Sequence, residues 1–191
     1  MSDAFSRDEV MQAKFLELVK KHGIKSVIET GTYKGQTTEF LAAHVEKVVT
    51  IEASRTYYDE CDRLDSLPNV TRMLGSSADR MAHAIQYTEA PRLYFLDAHW
   101  QAYNPLLGEL FAIANSGEEP VIIIHDFLVP HCPSLGYDMY TADIPIGMDL
   151  VRPSLLAIYK NNAVISFNDD SAGGARRGAL IVEPRETPAA T

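Results

Sequence analysis

Apolar residues along this chain switch repeatedly between a helical and a strand spacing. Val10, Met11, Phe15, Leu18 and Val19 recur on one helical face. Ser6 and Glu9 stand before them with the spacing of a capping box, and Gly23 stops the run. Lys25 to Glu29 is the first predicted strand, Gln36 to Val45 a helix, and Lys47 to Glu52 the second strand. Arg55 to Leu64 reads as a helix ending before Pro68, and Val70 to Leu74 as a third strand. A helix over Ala78 to Ile85 leads to a fourth strand, Arg92 to Asp97. A helix over Leu106 to Ala114 leads to a fifth, Val121 to Ile124, apolar on both faces as in the middle of a parallel sheet. This alternation predicts an α/β fold with a parallel sheet covered by helices on both sides.

The pattern changes after Ile124. Phe127 to Gly147 carries Pro130, Pro133, Pro145, Gly136 and Gly147 and shows no period, which predicts an irregular lid. Tyr137 and Tyr140 give that stretch flat faces with polar tips, suited to a sugar or aromatic ligand. Asp149 to Tyr159 is a predicted helix, with Pro153 near its start. Ala163 to Phe167 and Ala179 to Val182 form a closing pair of strands joined by the polar turn Asn168 to Gly178, and Glu183 to Thr191 is a predicted frayed tail.

Length and charge narrow the function classes. The 191 residues, 46% of them hydrophobic, fit one domain spanning 1–191 that folds without cross-links. Two distant cysteines, Cys61 and Cys132, argue against a disulfide scaffold and a cysteine zinc site, and suit a reducing compartment. A net charge of −9 makes nucleic acid an unfavourable partner. The N-terminus lacks a signal-peptide pattern, and Val121 to Ile124 is far too short to span a bilayer. The expectation is a cytoplasmic protein with a small-molecule ligand, no membrane partner, and a homo-oligomer left open.

Chemistry-bearing residues gather where strands end. Glu29-Thr30-Gly31-Thr32-Tyr33-Lys34-Gly35 is a strand end followed by a glycine turn and a helix, and Glu52 ends the next strand roughly 20 positions on. Such a unit builds a nucleoside pocket: glycines admit the ligand to the backbone and the acid accepts from ribose hydroxyls. An ordinary strand–helix turn would also want glycine for positive φ, and Glu52 could instead be a helix-start acid beside Ser54. Ser76 and Ser77 follow the third strand as candidate adenine contacts, with Ser77 equally suited to cap the next helix. Asp97, His99 and Trp100 follow the fourth strand, at the edge where open parallel sheets bind ligands. His99 has the proton affinity of a general base, and a packed, hydrogen-bonded loop histidine is the plainer alternative. His125 and Asp126 follow the fifth strand, so Asp97, His125 and Asp126 can converge as ligands for magnesium or manganese, or as a helix cap with a satisfied histidine.

From Ser26 to Val182 the chain resembles the class I S-adenosylmethionine (SAM) dependent methyltransferases. The motifs are Glu-Thr-Gly-Thr-Tyr-Lys-Gly at 29–35, Leu-Asp-Ala-His-Trp at 96–100 and His-Asp-Phe-Leu-Val-Pro at 125–130, with some similarity to the macrocin (sugar) O-methyltransferase group. The resemblance implies a Rossmann-like doubly wound, mostly parallel seven-stranded sheet with an antiparallel last strand. It implies that Glu29 meets the methionine amine, that Gly31, Thr32 and Gly35 shape the cofactor loop, and that Glu52, Ser76, Ser77 and Asp97 complete the SAM site. The residues after the fourth strand offer His99 and Asp97 as catalytic, and the macrocin group implies a cation on Asp97, His125 and Asp126. Tyr33 stands where that family commonly has a middle glycine, and His125 where the macrocin group has an acid. The expected activity is methyl transfer to a hydroxyl of a small molecule or sugar. The alternatives are a nicotinamide-dependent oxidoreductase, disfavoured by the missing Gly-x-Gly-x-x-Gly, and a SAM- or nucleoside-binding protein without turnover.

Overall fold

The computed structural model describes residues 8–99, 104–168, 170 and 176–185. In chain order the elements are α1 (Glu9–His22), β1 (Ser26–Thr30), α2 (Gln36–Ala42), β2 (Lys47–Glu52), α3 (Arg55–Glu60), β3 (Val70–Leu74), α4 (Ser77–Gln86), β4 (Arg92–Leu96), α5 (Leu106–Ser116), β5 (Val121–His125), β6 (Met139–Thr141), β7 (Ile144–Pro145), α6 (Met148–Tyr159), β8 (Ala163–Asn168) and β9 (Ala179–Pro184). Seven strands form one sheet in the order β3-β2-β1-β4-β5-β9-β8. The first five are mutually parallel, and β9 runs antiparallel between β5 and β8. The chain winds outward from β1 to β3, then returns to place β4 on the other side of β1. The strand order therefore reverses between β1 and β4, and a crevice opens beyond their carboxyl ends.

Strand alternation sorts the core into two layers. Ile28, Tyr94, Leu96, Ile122 and Ile124 face Met81, Leu110, Ile113, Val151 and Leu155 from α4, α5 and α6. Val27, Val48, Leu93, Phe95 and Ile123 face Met11, Phe15, Leu18 and Leu41 from α1 and α2. Both faces are covered, which is why the central strands read as unbroken apolar runs.

Several local expectations change. The α1 cap is Asp8, whose Oδ1 accepts from the Val10 and Met11 amides at 3.1 Å, while Ser6 lies outside the described residues. The predicted helix after β2 divides at Cys61 into α3 and a 3-10 turn, Asp62–Ser66. The Cys61 thiol there donates to the Tyr33 carbonyl at 2.9 Å. Ser76 holds the N-cap position of α4, so Ser77 is its first helical residue rather than its cap. The expected frayed tail begins as ordered strand: Glu183 is buried and accepts from Lys21 at 2.6 Å and His22 at 2.7 Å.

The 127–147 stretch is not structureless. It folds into the β6–β7 hairpin, and Phe127, Val129, Leu135 and Ile146 are buried. Backbone bonds stitch it to the entry of β9: Gly136 N donates to Arg176 O (2.8 Å), Gly178 N to Gly136 O (3.0 Å) and Phe127 N to Gly178 O (2.9 Å). Tyr140 packs against the core while Tyr137 is exposed. Among the described residues no helix is long and apolar enough to cross a membrane.

Gly178 sits at the tightest point of this stitching. A Cβ there would lie 2.4 Å from the Phe127 carbonyl oxygen and 2.6 Å from Val129 Cγ2. Gly178→Ala is expected to lower stability by about 1–3 kcal/mol, the usual cost of forcing an extra methyl into a filled site. Urea unfolding checks this, and an unchanged midpoint would show that the segment yields freely.

Candidate active site

The register of the central strands brings the chemistry together. Glu29 pairs with Thr50 on one side and Phe95 on the other, and Thr30 with Ile51 and Leu96. The turns after β1, β2, β4 and β5 consequently emerge side by side. Gly31 N donates to Ile51 O at 2.9 Å and Asp97 N to Thr30 O at 3.2 Å. Gly31 has φ +85°, and a Cβ on it would lie 2.5 Å from the Asp97 carbonyl oxygen. The glycine is thus required by the contact between the two turns as well as by its backbone angle.

Glu29 is fully buried at the end of β1. Thr38 donates to its Oε2 at 2.5 Å, and its Oε1 has no hydrogen-bond partner. Burial pushes its pKa up to about 8; the Thr38 and Thr50 hydroxyls oppose the rise, and Asp97 and Glu52 add to it. An orphaned, buried carboxyl oxygen between two further acids suits a ligand ammonium group.

Glu52 already serves the loop. Its Oε2 accepts from the Tyr33 amide at 2.9 Å and its Oε1 from the Ser54 amide at 2.7 Å. Tyr33 takes a positive φ of 46°, a left-handed turn held by Glu52 and by the edge of Tyr57 at 4.8 Å. Each carboxylate oxygen of Glu52 retains a lone pair for a ribose hydroxyl. Thr32 exchanges a hydroxyl bond with Thr50 at 2.6 Å. Gly35, at φ +72°, opens α2 against Leu64.

His99 is 5% exposed, and its Nε2 lies 2.9 Å from the carbonyl oxygen of His125. A carbonyl only accepts, so Nε2 carries a proton and Nδ1, buried without a partner, is the atom left to take one. Trp100 lies outside the described residues.

Sequence reading missed Glu109. It is fully buried on α5, on the same face as Leu106, Leu110 and Ile113. The Ser77 hydroxyl donates to its Oε1, and its Oε2 has no partner. Burial raises its pKa, opposed by the Ser77 hydroxyl. An acid inside a helix's apolar stripe was the available signal. Ser76 remains half-buried at the mouth of α4.

Asp97, His125 and Asp126 do converge, with ligand atoms within 4.8 Å of one another. His125 Nδ1 lies 3.1 Å from Oδ1 of both Asp97 and Asp126. Burial alone would lower the His125 pKa, but the Asp97 charge and the bonds to both acids raise it to about 10. Arg177, which the sequence did not suggest, places Nε 2.5 Å from Oδ1 of Asp126 and also binds Asp138. Oδ1 of Asp126 therefore accepts from the guanidinium and stands beside the His125 ring, and Arg177 supplies the neighbouring positive charge. A divalent ion at these three residues would compete with the guanidinium for Oδ1 of Asp126.

No family model and no curated protein matches the chain. Solved structures do. A proposed caffeoyl-CoA O-methyltransferase from Staphylococcus aureus superposes with TM-score 0.63 at 15% identity, covering 93% of this chain and 84% of that one. The O-methyltransferase TomG from Streptomyces achromogenes, involved in tomaymycin synthesis and solved with SAM, gives 0.61 at 18% identity, covering 92% and 80%. An O-methyltransferase from Bacillus cereus, solved with S-adenosylhomocysteine (SAH), gives 0.58 at 19% identity, covering 95% and 84%. The chain has the Rossmann-like methyltransferase fold, with its mixed seven-stranded sheet.

The buried acid at the end of β1 has a measurable consequence. Glu29 binds its proton more tightly folded, at about 8, than in an unfolded chain, at 4.5. It leaves stability unaffected below the lower value, erodes it as pH rises between the two, and adds no further loss above. At about 1.4 kcal/mol per pH unit the erosion is at most about 5 kcal/mol. Glu29→Gln should flatten the fall in urea midpoint from pH 5 to 8. Parallel wild-type and variant curves would place the titration elsewhere.

Proposed function

We propose that the protein is a SAM-dependent methyltransferase acting on a hydroxyl of a small molecule or sugar. The observation that carries this reading is the orphaned Oε1 of buried Glu29, at the reversal of strand order, beside the Gly31 turn and the Glu52 carboxylate. That arrangement supplies a carboxyl group that an arriving amino-acid ammonium can ionise and pair with, next to acceptors for a ribose. A nicotinamide dinucleotide would bring phosphates to this turn, where the Glu52 carboxylate repels them. SAM, when bound, supplies an electrophilic methyl group on a sulfonium.

The chain's own residues then have distinct tasks. Glu29 holds the ammonium, and Glu52 both fixes the Tyr33 turn and accepts from the ribose. Gly31, Thr32 and Gly35 shape the loop beneath the ligand, and Ser76 lies at the adenine side of the crevice. Ser77 reaches the site through Glu109, to which its hydroxyl is committed. Asp97 borders both the cofactor crevice and the acceptor side. His99 can take the acceptor hydroxyl's proton at Nδ1, because Nε2 is committed to the His125 carbonyl. The hairpin-bearing 127–147 segment borders the acceptor side, with exposed Tyr137 available to a sugar or aromatic ring. The net charge of −9 favours a small acceptor over nucleic acid.

Calorimetry tests the cofactor site without knowledge of the acceptor. SAM and SAH should bind and NAD should not. Glu52→Ala should weaken SAH binding by about 1.5–3 kcal/mol, the worth of hydrogen bonds to a charged group. Gly31→Val should abolish binding by driving the turn off the Asp97 carbonyl. Full affinity in both variants would remove the site from this crevice.

Binding should also move a proton. At pH 7 Glu29 is mostly protonated, and an arriving ammonium favours its ionised form. The apparent enthalpy of SAH binding should vary with buffer ionisation enthalpy, with a slope of roughly one proton released. 5′-Methylthioadenosine, which lacks the ammonium, should show no such slope. Equal slopes for the two ligands would take Glu29 out of contact with the amine.

A further inference from the structure

The Asp97, His125 and Asp126 cluster is completed by a fourth residue from the far end of the chain. Arg177 lies just before β9, and its neighbours fix its place: Gly136 and Arg177 form a parallel bridge, flanked by bonds from Gly136 N to Arg176 O (2.8 Å) and from Gly178 N to Gly136 O (3.0 Å). The guanidinium thus arrives on a tethered backbone. Its Nε donates to Oδ1 of Asp126 at 2.5 Å and its Nη2 to Oδ1 of Asp138. The two acids are themselves tied, Asp138 N donating to Asp126 O at 2.8 Å.

An ion seated between Oδ1 of Asp97 and Nδ1 of His125 would need Oδ1 of Asp126 as its third ligand. That oxygen has two lone pairs: Arg177 Nε, at 2.5 Å, takes one, and the other, 3.1 Å from His125 Nδ1, comes free only when that ring nitrogen gives up its proton to ligate the ion. A divalent ion would also sit one carboxylate away from a permanent positive charge, which costs it affinity. Releasing the guanidinium would break its bonds to both acids and loosen the 127–147 segment from the entry of β9.

We propose that Arg177 is the resident cation of this cluster, and that it holds Asp126 and the 127–147 segment in place without a divalent metal. This deepens the methyltransferase reading and rests on it for one consequence: proton removal from the acceptor falls to side chains such as His99, with no metal to acidify the hydroxyl. Arg177 acts here as a positioning residue, through Asp126 and Asp138.

Manganese(II) alone is the probe, titrated into the full chain and followed by electron paramagnetic resonance of the free ion. Wild type should show no saturable binding up to about 1 mM, far weaker than dedicated oxygen-ligand sites. Arg177→Gln, which removes the charge, should bind at least about tenfold more tightly. Adding Asp97→Asn to that variant should abolish the new binding and so locate it in the cluster. Arg177→Lys keeps the charge and should behave as wild type, which separates electrostatics from a general loosening of the fold. Micromolar binding by wild type overturns the proposal even if the glutamine variant fails to fold. So does equal affinity of wild type and Arg177→Gln. SAH binding on the same samples keeps the readings apart: no SAH binding by wild type refutes the methyltransferase reading and leaves the manganese result to stand alone.

Discussion

The space that a Cβ on Gly31 would need is filled by the carbonyl of Asp97. Everything at the carboxyl edge follows from that contact. Parallel pairing of β1 with β4 brings Thr30 level with Leu96, and the two turns then cross without a side chain between them. Glu29 is enclosed beneath the crossing, and Asp97 is held at its rim. A substituent on Gly31 would separate the turns, open the space over Glu29 to water, and lower the cost of ionising it.

The alternation of elements was legible because each central strand is covered on both faces and each helix on one. Val121 to Ile124 and Leu93 to Leu96 are continuous apolar runs for that reason. Glu29, Glu52, Asp97, His125 and Asp126 were legible as site residues because they sit where strands end. Their states were not. Nothing in the order of residues shows that Glu52 spends its oxygens on two amides, or that Glu29 retains an orphaned oxygen. Ser77 looked like a helix cap, but its hydroxyl donates instead to Glu109 across the α4–α5 contact. Gly108 permits that contact, since a Cβ on it would lie 2.7 Å from the Ala78 methyl. Arg177 was invisible because its partners stand 51 and 39 positions earlier. The 127–147 segment misled for a related reason: its order comes from long-range stitching, and no local period reports it.

Two fully buried acids, Glu29 and Glu109, distinguish this crevice from an ordinary sheet edge. Each keeps one oxygen bonded to a hydroxyl and one oxygen with no partner. Burying such groups opposes folding, and apolar residues of similar volume would serve the core better. Their presence on either side of the strand-order reversal is intelligible as preparation for a polar ligand. The neutral form each favours when buried lets the ligand-free protein hold them without a counter-charge.

The position of β9 has a consequence for synthesis. β8 is made before β9 but touches the sheet only through it, since β9 lies between β5 and β8. As the chain leaves the ribosome, β8 emerges with both its edges unsatisfied, and β5 waits with one edge open. Only when Ala179–Pro184 appears can β5 and the inner edge of β8 be paired, and the same strand then delivers Glu183 to Lys21 and His22 at the end of the first helix. Until β9 has been made the sheet lacks its central antiparallel partner, and unpaired strand edges of that kind are where incomplete chains associate.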